Sequence, residues 1–312
     1  MVHGIVVGVD GSSASLSAAH WAAREALRRG IGLTVVHAWH RHAHPAPYVP
    51  LGSSEYDWAR RTLRDTARSV RTAHPGLRIR ERLVCDAAVA ALVATAADAD
   101  ILVLGNLGLS PFSGFVTGSV SQRVVARSAR PVVLVRAGRG GASEHLPVTD
   151  GIAPEEIPGT PYREVVLGLD IDHPCDELIE FAFDTAQRRG TGLRVVHAFR
   201  MPLRPKPGPS VPTQPAPNEG PAPDPRSQTL ADVEHMSTVA LRPWREKYPT
   251  VPVTETISEG RAALMLEHAT RDAGLLVVGR RMSGHRIGAH TGPVAHAVVH
   301  HVGCPVAVVP HG

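Results

Sequence analysis

Lysine is nearly missing from this chain. Of 33 basic residues, only Lys206 and Lys247 are lysine, and neither follows a glycine loop, so a Walker-type phosphate loop is excluded. The arginine skew comes with abundant alanine, glycine and proline and a formal net charge of only +4. That balance fits a GC-rich coding sequence better than a nucleic-acid-binding surface. Aromatic residues are 4% of the chain, too few for a base-stacking platform, and no RNA- or DNA-binding motif occurs. Only three cysteines occur, Cys85, Cys175 and Cys304. Their wide spacing and odd number argue for reduced thiols in a cytoplasmic setting, not a disulfide framework. No apolar run approaches the roughly 20 residues of a membrane span. Met1-Val2-His3-Gly4 runs straight into a strand pattern with no charged leader, so no signal peptide and no membrane partner are expected. The 18 histidines include His296 and His300 at helical spacing, but no cysteine pair stands at ligand spacing and no glutamate completes a zinc-hydrolase motif. A metal site is therefore not expected, and His37 and His197 read as structural. Cys85, at a strand end, reads as a buried inert thiol.

Against these absences stands a glycine spacing: Gly105-Asn106-Leu107-Gly108, nine residues, then Gly118-Ser119. It follows the apolar run Ile101-Leu102-Val103-Leu104 and precedes a helical pattern from Val120. A strand thus ends in a glycine loop that ends at a helix N-terminus. Glycines allow close backbone approach to a ligand, and the helix start offers free N–H groups and a positive dipole end. Ser119 adds a hydroxyl. These parts suit a phosphate chain, and equally a well-capped surface loop.

The chain also repeats itself. Ile5-Val6-Val7-Gly8-Val9-Asp10 recurs as Val165-Val166-Leu167-Gly168-Leu169-Asp170, and Arg28-Arg29-Gly30 as Arg188-Arg189-Gly190. Later pairs, such as Pro131-Val132-Val133 with Pro305-Val306-Ala307, carry a longer offset. The difference is an insertion at 201–226, where proline dominates and an extended external loop is expected. We divide the chain into a first domain at 1–138, a linker at 139–161 and a second domain at 162–312.

Within the first repeat, continuous apolar runs at 4–9, 32–38, 79–84, 101–105 and 132–136 suit strands buried on both faces. Helical patterns fall near 13–29, 54–73, 87–97 and 117–128, with Ser12 or Ser13 capping the first and Asp86 the third. Alternation of this kind implies α/β architecture with a doubly wound parallel sheet in each domain. Ligands bind such sheets beyond the carboxyl ends of the strands, at the switch point, where Asp10 and the glycine loop both fall.

Val7-Gly8-Val9-Asp10-Gly11-Ser12 with Ser15, Val35-Val36-His37-Ala38-Trp39, Gly105-x2-Gly108-x9-Gly118-Ser119 and Pro131-Val132-Val133-Leu134-Val135 together resemble the universal stress protein family, across both repeats. The resemblance implies five-stranded domains of order 3-2-1-4-5 and, from the glycine pattern, the ATP-binding subclass. It places Gly8, Val9 and Asp10 at the adenosine and Ala38 at the adenine edge. Leu104 and Gly105 fall on the ribose side, and Gly108, Gly118, Ser119, Val120 and Ser121 around the phosphates. Asp10 has a second reading, as a cap of the first helix.

The second repeat departs from the pattern. Met282 stands for Gly108, Pro293 for Ser119 and Ala295 for Ser121, while Ile171-Asp172 replaces Gly11-Ser12. Pro293 suits a first helical turn but brings neither hydroxyl nor N–H. This domain is expected to be structural or to bind something else; Arg280, Arg281, His285 and Arg286 are candidates for a different anion site or for a solvated loop. The resemblance implies a nucleotide-dependent regulatory stress protein holding ATP, with or without Mg2+, in the first domain. A slow ATPase or self-phosphorylating enzyme and a non-binding scaffold are the alternatives. The two last strands are expected to pair inside the chain, with a homodimer and an unidentified protein partner as further options.

Overall fold

In the computed structural model, residues 4–40, 54–106, 119–138, 141–146, 160–199, 225–282 and 291–312 are described. Most of the proline-rich insertion and the glycine loop at 107–118 lie outside them. The first half runs β1 (Gly4–Gly8), α1 (Ser13–Arg29), β2 (Gly32–Trp39), α2 (Glu55–Ala73), β3 (Ile79–Cys85), α3 (Ala88–Ala96), β4 (Ile101–Asn106), α4 (Ser119–Arg127) and β5 (Val132–Arg136). The second half repeats it as β6 (Val165–Gly168), α5 (Asp176–Arg189), β7 (Leu193–Phe199), α6 (Pro225–Lys247), β8 (Val253–Glu259), α7 (Ala262–Ala269), β9 (Leu275–Arg281), α8 (Pro293–His301) and β10 (Val306–His311).

The ten strands of the described residues form one sheet, in the order β3-β2-β1-β4-β5-β10-β9-β6-β7-β8. Each half has the order 3-2-1-4-5, and within each half neighbouring strands are parallel. The halves join where β5 and β10 pair antiparallel, Val133 opposite Ala307. An apolar strand edge left open invites association, and here each last strand covers the other. Two apolar layers run the length of the sheet. One packs α1, α2, α5 and α6 around residues such as Trp21, Leu63, Phe183 and Leu241; the other packs α3, α4, α7 and α8 around Leu92, Val124, Leu266 and Val298.

Local signals behave as the chemistry dictates, with exceptions. Ser12 caps α1 by accepting from Ser15 N, and Gly30 and Gly190 take left-handed geometry after α1 and α5. Asp86 does not cap α3: the cap position is Ala87, with no side-chain cap bond, and the Asp86 carboxylate accepts from the adjacent Ala87 N at 2.6 Å. Cys85 is exposed rather than buried, because β3 is an edge strand. The turn at Gly141–Glu144 and the bridge between His145 and Tyr162 dock the linker on the body, with Arg163 N donating to Glu144 O at 2.9 Å.

Candidate functional site

Three neighbouring strands, β2, β1 and β4, deliver the first-domain residues to one edge. Gly8 pairs with Val36 on one side and Leu104 on the other, so Val9 and Asp10 leave the sheet between β2 and β4. Helix connections pass to opposite faces on either side of this point, which makes it the topological switch of the half-sheet. Val9 N donates to Val36 O at 2.9 Å, fixing the exit direction of β1. Ala38 lies half-buried near the end of β2.

The turn after Asp10 is tightly bonded. Its carboxylate accepts from Ser12 N at 3.0 Å, while Ser15, only 3% exposed, places its hydroxyl 3.3 Å from Asp10 N and donates to Ser12 O at 2.9 Å. Burial would raise the Asp10 pKa, but hydrogen bonds from Ser12 and Ser15 and the nearby His37 outweigh it, and the carboxyl sits below its ordinary value. His37 is buried, with Nδ1 2.7 Å from Val9 O and its ring edge-on to Trp58 at 5.5 Å. Burial pushes its pKa down, so it stays neutral near pH 7. Asp10 therefore braces the turn, and Ser12 is the helix cap.

Gly105 brings β4 against the start of α1. A Cβ there would lie 2.6 Å from Ser15 N and 2.7 Å from Ala14 C, so only glycine fits. Ser121, in the first turn of α4, donates its hydroxyl to Gly105 O at 3.0 Å. This bond holds the α4 N-terminus over the end of β4. Val120 is half-buried beside it. Gly108 and Gly118 lie outside the described residues, as does the side chain of Ser119, the first residue of α4.

At the equivalent edge of the second half a cavity of about 890 Å³ opens, lined by Leu169, Asp170, Ala198, Gly279, Pro293 and His311 among others. α5 begins only at Asp176, after a turn at 171–173, because Ile171 is drawn into the core and no serine caps the helix. Cys175 occupies the place of Ser15. Its Sγ donates to Glu177 at 3.0 Å, and burial with that carboxylate pushes the thiol up to about 11. His197 Nδ1 lies 3.0 Å from Leu169 O, matching His37.

Arg280, which also lines this cavity, commits its guanidinium to the other half. It donates to Ala126 O and Ser128 O at 3.2 and 2.5 Å, capping the end of α4 in the other half. Asn106, its counterpart, donates to Val299 O at 3.0 Å, and Arg136 donates to His300 O. The two halves thus cap each other's helices across the seam. Arg281 is exposed, and His285 and Arg286 lie outside the described residues. His296 and His300 meet edge-on at 4.6 Å, and no metal-type cluster occurs among the described residues. The reciprocal caps were missed from sequence. Their signal was present, since Asn106 and Arg280 occupy matching repeat positions, but asparagine and arginine do not look alike.

The ten strands of the described residues make a tandem of doubly wound α/β halves, with a cavity at the carboxyl edge of the second; in such sheets the switch point is where ligands bind. The family model described as the universal stress protein family matches residues 1–136 and again 161–310. The chain belongs to that family, as a tandem member. Universal stress protein Rv2005c of Mycobacterium tuberculosis is 31% identical over 315 residues, covering 98% of this chain and 96% of that protein. The crystal structure of a universal stress protein from Archaeoglobus fulgidus DSM 4304 has a TM-score of 0.65 at 15% identity, covering 99% of this chain and 98% of that one, which supports the fold. A universal stress protein solved in complex with cAMP is 30% identical over 44% of this chain and 98% of its own, at a TM-score of 0.34; that ligand belongs to that protein. Among the described residues, no helix is long and apolar enough to cross a membrane.

Proposed function

We propose that the chain is an adenine-nucleotide-binding regulatory protein that holds ATP in its first half. The observation that carries this is the Gly105 junction. There the end of β4, the first turn of α1 and the first turn of α4 meet with glycine-only clearance. Gly8, Val9, Asp10 and Ala38 would take the nucleoside, Leu104 and Gly105 the ribose side. The α4 N-terminus with Ser119, Val120 and Ser121, and the glycines Gly108 and Gly118, would take the phosphates. Asp10 is the sole carboxylate among these residues, so any Mg2+ would arrive on the nucleotide rather than in a protein cage. With His37 neutral and bonded to Val9 O, no side chain in the set is free to act as a strong base. Regulation by occupancy is therefore a better fit than rapid hydrolysis.

Calorimetric titration with ATP tests the reading, and one site per chain is expected. Two equal sites, or none, would sink it. Multiple-turnover release of phosphate would favour the slow ATPase instead.

The open cavity of the second half favours a different ligand there. It keeps Asp170, Leu169, Ala198 and Gly279 but carries Pro293 and Ala295 where hydroxyl donors would stand. A nucleoside-sized molecule without a triphosphate suits it. Loss of adenosine binding in Asp170→Ala, with ATP binding by the first half retained, would separate the two halves.

A further inference from the structure

One helix, α2, grips both strand ends on the nucleoside side of the first half. Gly11 follows Asp10 with φ +83°, a left-handed geometry that favours glycine. α2 closes on this bare backbone: a Cβ at Gly11 would stand 3.2 Å from Thr62 Cγ2 and 3.8 Å from Trp58 Cζ2. The Trp58 ring meets His37 edge-on at 5.5 Å, and His37 Nδ1 lies 2.7 Å from Val9 O. Earlier on the helix, Tyr56 meets Trp39 edge-on at 5.4 Å, and Trp39 is the neighbour of Ala38 in β2. Ala59 and Leu63, 0% and 4% exposed, anchor the helix on the sheet beside these contacts.

The second half is built without this grip. Strand register matches Ile79 of β3 with Val253 of β8, and counting back along the helices places Asp232 at Trp58 and Met236 at Thr62. Both are exposed. Val233 and Ser237, at the places of Ala59 and Leu63, are buried like them, so the match holds along the helix. There the turn anchors itself, with Ile171 in the place of Gly11 and only 4% exposed. The fold therefore stands without an indole at this position.

We infer that Trp58 and Thr62 are positioning residues for the first-half nucleotide site, holding the Asp10–Gly11 turn and the end of β2 in the geometry that receives the nucleoside. The inference rests on the reading of that site as nucleotide-binding. Neither side chain needs to touch the ligand. Trp58 acts through His37 and Val9 O, and Thr62 through Gly11. Both fix the direction of Asp10, whose carboxylate accepts from Ser12 N at 3.0 Å. A loose turn would spend binding energy on its own ordering when a ligand arrives; a turn braced by α2 is ordered beforehand.

Amide exchange of the ligand-free chain tests the brace, and ATP titration tests its use. In Trp58→Leu the Ser12 N–H is expected to exchange about tenfold faster and ATP to bind about tenfold more weakly. Thr62→Ala, which favours the helix, is expected to shift both readings the same way by less, and it stands alone if Trp58→Leu fails to fold. Val70→Ala, buried further along α2, is expected to lower the melting temperature and leave both readings unchanged. Combined with Asp10→Ala, Trp58→Leu should add little further loss of ATP affinity, because both act through one turn. Unaltered Ser12 exchange in the variants overturns the inference whatever the chain binds. Faster exchange with unchanged ATP affinity, or strictly additive losses, overturns it as well. An unmutated chain that binds no ATP refutes the nucleotide reading instead, and the exchange result alone then decides whether α2 braces the turn.

Discussion

Alanine at Gly105 asks the backbone of another element to move. The new methyl carbon would stand 2.6 Å from Ser15 N, 2.7 Å from Ala14 C and 3.0 Å from Ala14 O. Ordinary contacts between such atoms lie near 3.5–4.0 Å, so the first turn of α1 must retreat by roughly 1 Å. Gly279 is its repeat counterpart, and alanine there meets His311 Nε2 at 2.8 Å and Leu178 Cδ2 at 3.2 Å, both ends of side chains. His311 is half-buried on the last strand and has room to turn. Overpacking costs about 1–3 kcal/mol, and more when nothing flexible can yield. We expect Gly105→Ala to cost about 3 kcal/mol or more and Gly279→Ala about 1 kcal/mol. In melting temperature this is about 6–10 °C against 2–3 °C. Gly105→Ala should also weaken ATP binding at least tenfold, because the displaced turn carries Asp10 and Ser12. Differential scanning fluorimetry and titration of both variants decide it. Equal losses of stability, or a Gly105→Ala protein as stable as its parent, would refute the steric argument.

Other outcomes follow from the charges. Arginine partners hold the buried Glu25 carboxyl down to about 2 from an unfolded value of 4.5, against the opposing effect of burial. Its stabilisation is complete above pH 4.5 and is lost as pH falls towards 2, a difference of about 3 kcal/mol. Glu25→Gln should therefore cost about 3–5 kcal/mol at pH 7 and flatten that acid limb in urea titrations; an unchanged midpoint would count against the seam. His20 and His74 sit 3.4 Å apart with both pKa values lowered, first by burial; the charge of Arg24 adds to this at His20, and those of His20 and then Arg24 at His74. Such groups are kept neutral in the fold, so stability should fall as pH drops below 6.5. A His74→Gln variant should show less of that loss, measured by melting between pH 7 and pH 5. Asp10→Ala should reduce ATP affinity while costing only about 1 kcal/mol of stability, since Ser12 remains the cap. Unaltered affinity would leave Asp10 as a purely structural brace.

The strands were legible because parallel strands buried on both faces read as unbroken apolar runs, and Ile101-Leu102-Val103-Leu104 needs no partner information to be recognised. Pairing of β5 with β10 was legible for a related reason, since two apolar edges need cover. What escaped the sequence depends on contacts between distant segments. Glu25, Arg28 and Arg29 at helical spacing look like a solvated face, and Arg188-Arg189, a repeat of Arg28-Arg29, looks like a surface pair. Only the fold brings Glu144 of the linker among them. Arg280 looked like a candidate anion ligand because its sequence neighbours are basic; its carbonyl partners lie in the other half of the chain. The turn preceding α5 is longer than that preceding α1 because Ile171 is buried, and hydropathy alone did not say that one isoleucine would displace a helical turn.

The antiparallel junction of β5 with β10 has a consequence for how such a chain can change over time. Two separate copies of one domain, meeting through these strands, would depend on their concentration and would each carry every mutation. Covalent fusion replaces that concentration with an effective one in the millimolar range, so dilution cannot part the halves. It also frees them from identity. A substitution such as Pro293 can remove a donor from one crevice while the other crevice keeps its serine, and the pair remains assembled. The seam thus lets one protein carry two specialised halves in a fixed one-to-one ratio.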